Sequence, residues 1–330
     1  MLAPALMSYD DLATDLPVTR LTDPAVSSIL PPASATPLSR RGNFLLYASD
    51  ANGRYEAYRL DLKKGEARQA SDAAELKPES LTLLPGESSF CYFDGDRLMT
   101  SSFSAAPAAQ AYKLTDGFKP VGDLHVSADG LYVALVERKG ATHRLRLVNL
   151  RTAVATTLAE ADEEMSDPIT RPKRASALYL RGGGVYLANF DGKQNYRLRA
   201  AEGKVTQALW NLDGRAVLYL STGGSIREFV PDTNEDRAVA QASQFAAFGR
   251  NADASVFVGA DGSKASPYVV LLVRAVKREL TLCEHRASNP AMVAPMFSPN
   301  SQQVYFNSDL HGKPAIYRMD VEKLVEATAP

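Results

Sequence analysis

Short hydrophobic runs, each preceded by a glycine-containing or polar turn, recur along the chain at near-constant spacing. The residues that mark the successive turns are Gly42, Gly86, Gly130, Arg174, Gly214, Ala254 and Ser301. The intervals between these markers are 44, 44, 44, 40, 40 and 47 residues. A repeat of roughly 40–50 residues is the length of one four-stranded blade of a β-propeller. Seven such repeats predict an all-β, seven-bladed propeller.

A second β-rich run follows each turn and completes a hairpin. These runs are Tyr55–Leu62, Asp96–Phe103, Thr142–Leu150, Gly184–Phe190, Ser225–Asp232, Tyr268–Arg274 and Pro314–Val321. Short β-rich runs bounded by Gly, Asp, Asn and Ser are typical of antiparallel hairpins. Helical periodicity is confined to two short segments, Leu158–Met165 and Val321–Thr328.

The last repeat runs out of chain after its third strand, and the segment Pro17–Thr22 has the pattern of a missing outer strand. We expect this segment to pair with the last blade and so to close the ring without an open sheet edge. The stretch from Ser27 to Pro37 is then predicted to be a crossing loop. No linker-like segment interrupts the repeats, so residues 1–330 are predicted to form one propeller domain.

The charge balance argues against a nucleic-acid partner, because 37 basic residues face 38 acidic ones and the net charge is −1. The longest aliphatic run, Tyr268–Val273, is too short to span a bilayer, so no membrane association is expected. Residues 1–9 lack the basic region of a signal peptide. These features favour a cytoplasmic protein.

Few residues form a recognisable catalytic motif. No Gly-x-Ser-x-Gly elbow is present, and Gly182-Gly183-Gly184 suits a tight hairpin better than a phosphate loop. The acidic run at Glu160–Glu164 is typical of the solvated face of a short helix rather than a metal cluster. Cys91 and Cys283 fall inside predicted strands, where a buried, unpaired cysteine is expected.

The four histidines are far apart along the chain, at positions 125, 143, 285 and 311. His125 and His311 are expected in turns, and the other two at strand ends. No Cys/His spacing suits zinc. Each histidine is therefore interpreted as a surface or hairpin residue, and Trp210 as a blade-packing residue rather than a sugar platform.

The last blade resembles one family closely. Its segments Phe297–Asp309 and Gly312–Tyr317 are similar to the carboxy-terminal blade of bacterial oligogalacturonate lyases, cytoplasmic seven-bladed propellers that cleave pectin-derived disaccharides by β-elimination. Weaker likeness extends over most of the chain, including Val18–Thr22 and Pro168–Pro172. More distant similarity to TolB-type propellers is expected from the shared blade pattern.

The resemblance implies where a site would lie and which residues occupy it here. The family's general base, a histidine in the fifth blade, matches Gln207. Its manganese ion is held by three histidines and a glutamine. The matching positions carry Ala247 before the sixth-blade turn, and Asn289, Met292 and Ala294 in place of a Gln-x-x-His-x-His arrangement before the last blade.

Two hypotheses follow from this comparison. In the first, the chain is a catalytically inactive relative without a cofactor, because an amide is not a base and an Ala, Met and Asn set does not hold a borderline divalent ion. Its funnel would bind an oligouronide through Arg171, Gln207 and Asn289, or a protein partner. Arg171 could instead pair with an acid of the neighbouring blade. In the second, the chain is an active, Mn²⁺-dependent lyase with a rearranged site, for which His285 is the candidate.

Overall fold

Seven antiparallel β-sheets account for nearly all regular structure in the computed structural model of the protein. The structure describes residues 1–104, 106–200, 203–222, 224–241, 245–263 and 267–327. Each sheet contains one of the seven sequence repeats, and the predicted seven-bladed β-propeller is confirmed.

The strands are short and follow one another along each blade. Blade 1 consists of β3 (Ser28–Ile29), β4 (Phe44–Ser49), β5 (Glu56–Asp61) and β6 (Ala67–Gln69). Blade 2 consists of β7 (Thr82–Leu83), β8 (Ser89–Asp94), β9 (Arg97–Ser102) and β10 (Ala109–Lys113). Blade 3 consists of β11 (Lys119–Val126), β12 (Tyr132–Lys139), β13 (Thr142–Asn149) and β14 (Ala155–Ala161). Blade 4 consists of β15 (Met165–Thr170), β16 (Ser176–Arg181), β17 (Gly184–Asn189) and β18 (Asn195–Arg197).

The remaining blades follow the same order. Blade 5 consists of β19 (Val205–Trp210), β20 (Val217–Ser221), β21 (Ser225–Val230) and β22 (Glu235–Gln241). Blade 6 consists of β23 (Phe245–Arg250), β24 (Val256–Asp261), β25 (Tyr268–Val273) and β26 (Arg278–Glu284). Blade 7 consists of β27 (Met296–Phe297), β28 (Gln303–Ser308), β29 (Ala315–Asp320), β2 (Pro17–Arg20) and β1 (Met7–Asp10). Three short 3₁₀ turns occupy Ala33–Ala35, Pro78–Ser80 and Pro290–Met292.

Blade 7 is completed by the amino-terminal segment, as predicted. Strand β2 pairs antiparallel with β29, with Arg20 opposite Tyr317. The structure adds strand β1, which pairs along the outer side of β2 and makes this blade five-stranded. The extra strand covers backbone groups that would otherwise be left at the sheet edge.

The described chain divides into two compact units. One contains Met1–Ala33, Pro37–Gln69 and Val239–Pro330, and the other contains Ser34–Thr36 and Ala70–Ala238. In the first unit, Val18, Leu271 and Tyr317 belong to a buried cluster between blades 6 and 7. In the second, Leu178 and Trp210 belong to a buried cluster between blades 4 and 5. Trp210 is thus a packing residue, as expected.

Both predicted helices are wrong. Residues 158–165 span the end of β14 and the start of β15, because pairing with β13 and β16 outweighs the helix propensity of the Glu- and Ala-rich segment. The segment from Val321 forms a single turn, in which the Val325 amide donates to the Val321 carbonyl at 2.9 Å. No helix forms over 321–327, and residue 328 lies outside the described residues.

The acidic run therefore lies on strand ends and a turn rather than on a helix. Glu160 accepts a hydrogen bond from Arg144 at 2.7 Å, and Glu163 accepts one from Arg181 at 2.9 Å. Both are ion pairs at the surface, and the helix expected for this run is wrong.

Three further sequence expectations can be compared with the structure. The stretch from Ser27 to Pro37 is not only a loop, because it contains β3, the first strand of blade 1. Gly182 and Gly183 form the predicted tight hairpin, with φ of 55° and 79° in the left-handed region that two-residue hairpins need. Cys91 and Cys283 are buried and unpaired, and burial raises the pKa of the Cys91 thiol to about 12.

Within the described ranges, no helix is long and apolar enough to cross a membrane.

Candidate functional site

Gln207 and Ala247 occupy equivalent places in the first strands of blades 5 and 6. In each strand the pairing register shifts immediately before the residue, between Val205 and Gln207 and between Phe245 and Ala247. Both side chains are half-buried. The first strand of each propeller blade lines the central channel, and bulges re-aim side chains near functional sites. Each of these two matched positions therefore directly follows a bulge in the first strand of its own blade.

The other three matched positions lie in the segment that leads into blade 7. Asn289 precedes the 3₁₀ turn Pro290–Met292, and Ala294 follows it. This turn contacts β23, the strand that carries Ala247. The approach is close, since a β-carbon at Gly249 would lie 2.6 Å from the Pro295 carbonyl oxygen. The structure thus brings the elements bearing these four positions together within one unit.

The side chains at these positions are poor ligands for a divalent cation. The Asn289 amide oxygen accepts a hydrogen bond from the Ala291 amide at 3.1 Å, so it already caps the 3₁₀ turn. Met292 offers a thioether, which favours soft metals, and two alanines offer no donor. Ala294 has φ of 39°, a left-handed conformation that alanine rarely adopts. Among the described residues, no group of three or more His, Cys, Asp or Glu side chains is arranged to hold a metal ion.

His285 is fully engaged by its surroundings. It is 1% exposed, its Nε2 lies 3.2 Å from the Asp261 carbonyl oxygen, and its Nδ1 accepts from the Ala287 amide at 3.1 Å. The imidazole is therefore the neutral Nε2–H tautomer, with its only lone pair occupied. Burial lowers its pKa. A metal ligand needs that lone pair, so this geometry disfavours His285 as the replacement ligand considered from the sequence.

The remaining histidines differ in burial from the surface or hairpin placement expected. His125 lies within β11 rather than in a turn, where its Nδ1 is 2.8 Å from the Thr170 hydroxyl and burial lowers its pKa to about 4. His143 is buried in β13. His311 is exposed in the hairpin between β28 and β29, as predicted. For His125, which is half-buried in a strand, the expected turn placement is wrong. His143 lies at the start of a strand, as expected, but it is buried rather than exposed.

Arg171 adopts the alternative arrangement considered from the sequence, a contact with the next blade. Its Nε donates to the Gly214 carbonyl at 2.7 Å, and its Nη2 lies 3.4 Å from an Asp232 carboxylate oxygen. The guanidinium also sits over the Trp210 ring at 4.8 Å. With a side chain only 4% exposed, Arg171 fastens blade 4 to blade 5, and ligand binding by it stays a prediction.

A pair of carboxyl groups, Asp123 and Asp167, was not singled out from the sequence. Each lies at the bulge of a first strand, in blades 3 and 4 respectively. Ser34 donates to Asp123 at 3.1 Å, and Ser166 donates to Asp167 at 2.7 Å. Burial and the neighbouring Asp167 raise the pKa of Asp123 to about 8, and burial raises that of Asp167. The pair therefore retains a proton near neutral pH.

The sequence gives a weak indication of this pair. Both aspartates occur in the first strand of a repeat, where an acidic residue beside a hydrophobic run interrupts the apolar pattern. Each aspartate lies at a bulge, and strand alternation in the sequence does not predict a bulge. The sequence alone therefore does not show that the two carboxyl groups interact. A carboxyl group held neutral can donate a hydrogen bond, which suits a site for hydroxyl groups or a carboxylate.

No protein-family model matches the chain. Among curated relatives, an oligogalacturonide lyase of Pectobacterium atrosepticum is 25% identical over 94% of each chain. A solved structure of an oligogalacturonate lyase in complex with manganese superimposes with a TM-score of 0.90, 23% identity and coverage of 97% of this chain and 96% of the other. TolB from Acinetobacter baumannii matches more distantly, with a TM-score of 0.52, 12% identity and coverage of 78% and 63%.

Fold and comparisons together define a seven-bladed β-propeller of the architecture seen in oligogalacturonate lyases, with TolB-like blades. The chain is similar in sequence to two curated oligogalacturonate lyases over 94% of its length, so the resemblance is not confined to the last blade. The manganese belongs to the solved relative, whereas the four matched positions in this chain do not fit that ion.

Proposed function

We propose that this protein is an oligogalacturonate-lyase-like propeller that binds an oligouronide in its central funnel and does not catalyse metal-dependent β-elimination. One observation carries the proposal. The positions that the sequence resemblance matches to the family's base and metal ligands carry Gln207, Ala247, Asn289, Met292 and Ala294, none of which supplies an imidazole.

Elimination from a uronate requires removal of a proton α to a carboxylate. A base must accept that proton, and a cation must neutralise the charge that develops on the carboxylate. Gln207 carries an amide, which does not accept a proton at neutral pH. Loss of a general base alone costs roughly 10²–10⁴ in rate. The second loss, of the cation, compounds the first.

Binding does not need either of those groups. Gln207 offers an amide at the channel-facing strand of blade 5, and the exposed Asn289 retains its amide nitrogen as a donor. The protonated Asp123–Asp167 pair adds a donor in blades 3 and 4. We keep Gln207 and Asn289 as proposed ligand contacts, and we assign Arg171 the support of blades 4 and 5 rather than direct binding.

The proposal is tested by calorimetric titration with digalacturonate, paired with an absorbance assay for the unsaturated product. We expect heat of binding that is lost in Gln207→Ala, and no product with or without added manganese. Product formation that stops on addition of a chelator would overturn the inactive assignment. Absence of binding to any uronate would leave a protein-docking scaffold as the function to pursue. Cytoplasmic location stays a prediction from the sequence.

A graft provides the matched positive control. Restoring the family pattern with Ala247→His, Asn289→Gln, Met292→His and Ala294→His should create a manganese site on the unchanged backbone. The left-handed conformation at position 294 is one that histidine tolerates better than alanine. Manganese binding by the graft and not by the parent chain would show that the missing side chains, and not the fold, account for the difference.

A further inference from the structure

Among the described residues, Arg20 is a partly buried cation without a hydrogen-bond or ion-pair partner. It is half-buried at the end of β2, and its Nε is buried with no hydrogen-bond partner. In the part of the chain that the structure describes, its guanidinium forms no hydrogen bond, ion pair or ring contact. Arg171 and Arg227, by contrast, are both paired with carboxylates and carbonyl or hydroxyl oxygens. An unpaired, partly buried charge is costly, so the position of Arg20 calls for an explanation.

The residues around Arg20 share one face of blade 7. Arg20 lies opposite Met7 on β1 and opposite Tyr317 on β29. Because side chains alternate along a strand, Tyr9, two residues beyond Met7, is on the same face. His311, in the adjoining hairpin, stacks on Tyr317 at 5.9 Å and meets the edge of Tyr9 at 5.2 Å.

The side chains of this cluster carry protons that they can donate in hydrogen bonds. The Tyr317 hydroxyl lies 2.8 Å from the His311 Nδ1. Burial raises the pKa of Tyr317 to about 12, so the hydroxyl keeps its proton and donates it to Nδ1. Burial and the nearby Arg20 lower the pKa of His311, which leaves a neutral imidazole with an Nε2–H donor. Burial also raises the pKa of Tyr9, so its hydroxyl remains protonated.

Two carboxylates, Asp11 and Asp309, act electrostatically on the tyrosines of this cluster, and both accept hydrogen bonds from other groups. Asp11 accepts from the Ala13 and Glu284 amides, at 3.1 and 3.0 Å. Asp309 accepts from the Ser288 amide at 2.8 Å and from the Ser288 hydroxyl. Their negative charge lowers the affinity for an anion but supplies Arg20 with no direct acceptor.

We propose that Arg20, Tyr9 and His311 form a subsite for an oxyanion on blade 7. The ligand expected is the carboxylate of a uronic acid, and inorganic phosphate is the other source of the same chemistry. A planar guanidinium matches either group through two parallel hydrogen bonds. The His311 hairpin is linked to the segment that contains Asn289, since the Ser288 amide donates a hydrogen bond to Asp309. The cluster therefore lies at the same end of blade 7 as that segment. The assignment of a uronate as the ligand rests on the proposed function, whereas the proposal that the subsite binds an oxyanion does not.

The test follows the Nε–H resonance of Arg20 in ¹⁵N-labelled protein, assigned by its loss in Arg20→Lys. The protein is titrated at constant ionic strength with galacturonate, with galacturonate methyl ester and with inorganic phosphate. We expect galacturonate to shift the resonance and the neutral ester, which has the same ring, to leave it in place. A shift with phosphate alone would support the oxyanion subsite and overturn the uronate assignment. No shift with either anion would overturn the proposal.

Two variants separate binding from folding. Arg20→Met removes the charge but keeps the length of the side chain, and it should weaken anion binding on the order of tenfold or more. Arg97→Met, at an exposed arginine of β9, is the matched control and should leave binding unchanged. If calorimetry detects digalacturonate while the Arg20 resonance stays fixed, the subsite is wrong and the proposed function of the central funnel stands.

Discussion

Replacing Asp123 with asparagine should stabilise the protein at neutral pH. Asp123 is held in the first strand of blade 3, where burial and Asp167 raise the pKa of its carboxyl from 3.8 to about 8. A charged pair at this position is therefore unfavourable in the folded protein. Asparagine has nearly the same shape, and its carbonyl oxygen can still accept the hydrogen bond that Ser34 donates at 3.1 Å.

The sign of the pH dependence follows from linkage. Between about pH 4 and pH 8 the folded protein holds a proton on Asp123 that the unfolded chain has released. The stability of the wild-type protein should therefore fall as the pH rises through this window and level off above it. The asparagine variant carries no such proton, so its advantage should be absent near about pH 4 and largest near about pH 8.

The size of the effect can be bounded from the same pKa. The difference between 3.8 and about 8 corresponds to about 6 kcal/mol if it acts in full. Asp123 keeps part of its exposure to solvent, and Asp167 shares the unfavourable interaction. We therefore expect about 2–3 kcal/mol at the upper end of the window.

The assay is urea unfolding followed by the fluorescence of Trp210, the only tryptophan of the chain. Trp210 is 3% exposed and lies in the same unit as Asp123, so its emission reports unfolding of that unit. Asp10→Asn, at an exposed aspartate of β1, is the control and should show a small difference without this pH dependence. A free-energy difference for Asp123→Asn that stays constant from about pH 5 to pH 8 would refute the reasoning.

Two further predictions concern buried side chains. Arg171→Ala should destabilise the protein by about 3–5 kcal/mol in urea unfolding, because it removes the hydrogen bond to the Gly214 carbonyl and the contact of the guanidinium with the Trp210 ring. Arg174→Ala, at an exposed arginine that also pairs with Asp232, should cost less than about 1 kcal/mol. Equal costs would contradict the assigned role. His285→Leu should cost about 1–3 kcal/mol through the unsatisfied Ala287 amide. Because burial lowers the pKa of His285, wild-type stability should also fall as the pH drops below 6.5, and this loss should be smaller in the variant, in which only His125 and His311 still contribute to it.

The fold was accessible from sequence because its repeat is regular. Each turn marker stands at the start of a hydrophobic strand, and the closing strand Pro17–Arg20 matches the strand that the last repeat lacks. Strands β1 and β3 were missed because they have four and two residues. Runs of that length carry too little alternation to distinguish a strand from a loop.

The candidate site could be predicted only in part from the sequence, because its main features depend on contacts between residues far apart in the chain. The resemblance assigned Gln207 to the fifth blade and Ala247 to the segment before the sixth-blade turn. The structure places both inside first strands, at bulges that depend on pairing with β20 and β24. The role of Arg171 depends on the turn of blade 5, about 43 residues away, which no local pattern reveals. In the sequence, Arg20 is an ordinary strand residue. Only the structure shows that no described side chain accepts a hydrogen bond from its buried Nε.

The most direct test of the account is measurement of bound metal and lyase turnover on the same purified protein. Manganese is titrated calorimetrically into the metal-free chain, and product absorbance is followed with digalacturonate in the presence of manganese and then of a chelator. We predict no stoichiometric manganese binding and no chelator-sensitive product, because Ala247, Met292 and Ala294 provide no suitable ligands. One tightly bound manganese ion per chain, together with turnover that the chelator abolishes, would contradict the account.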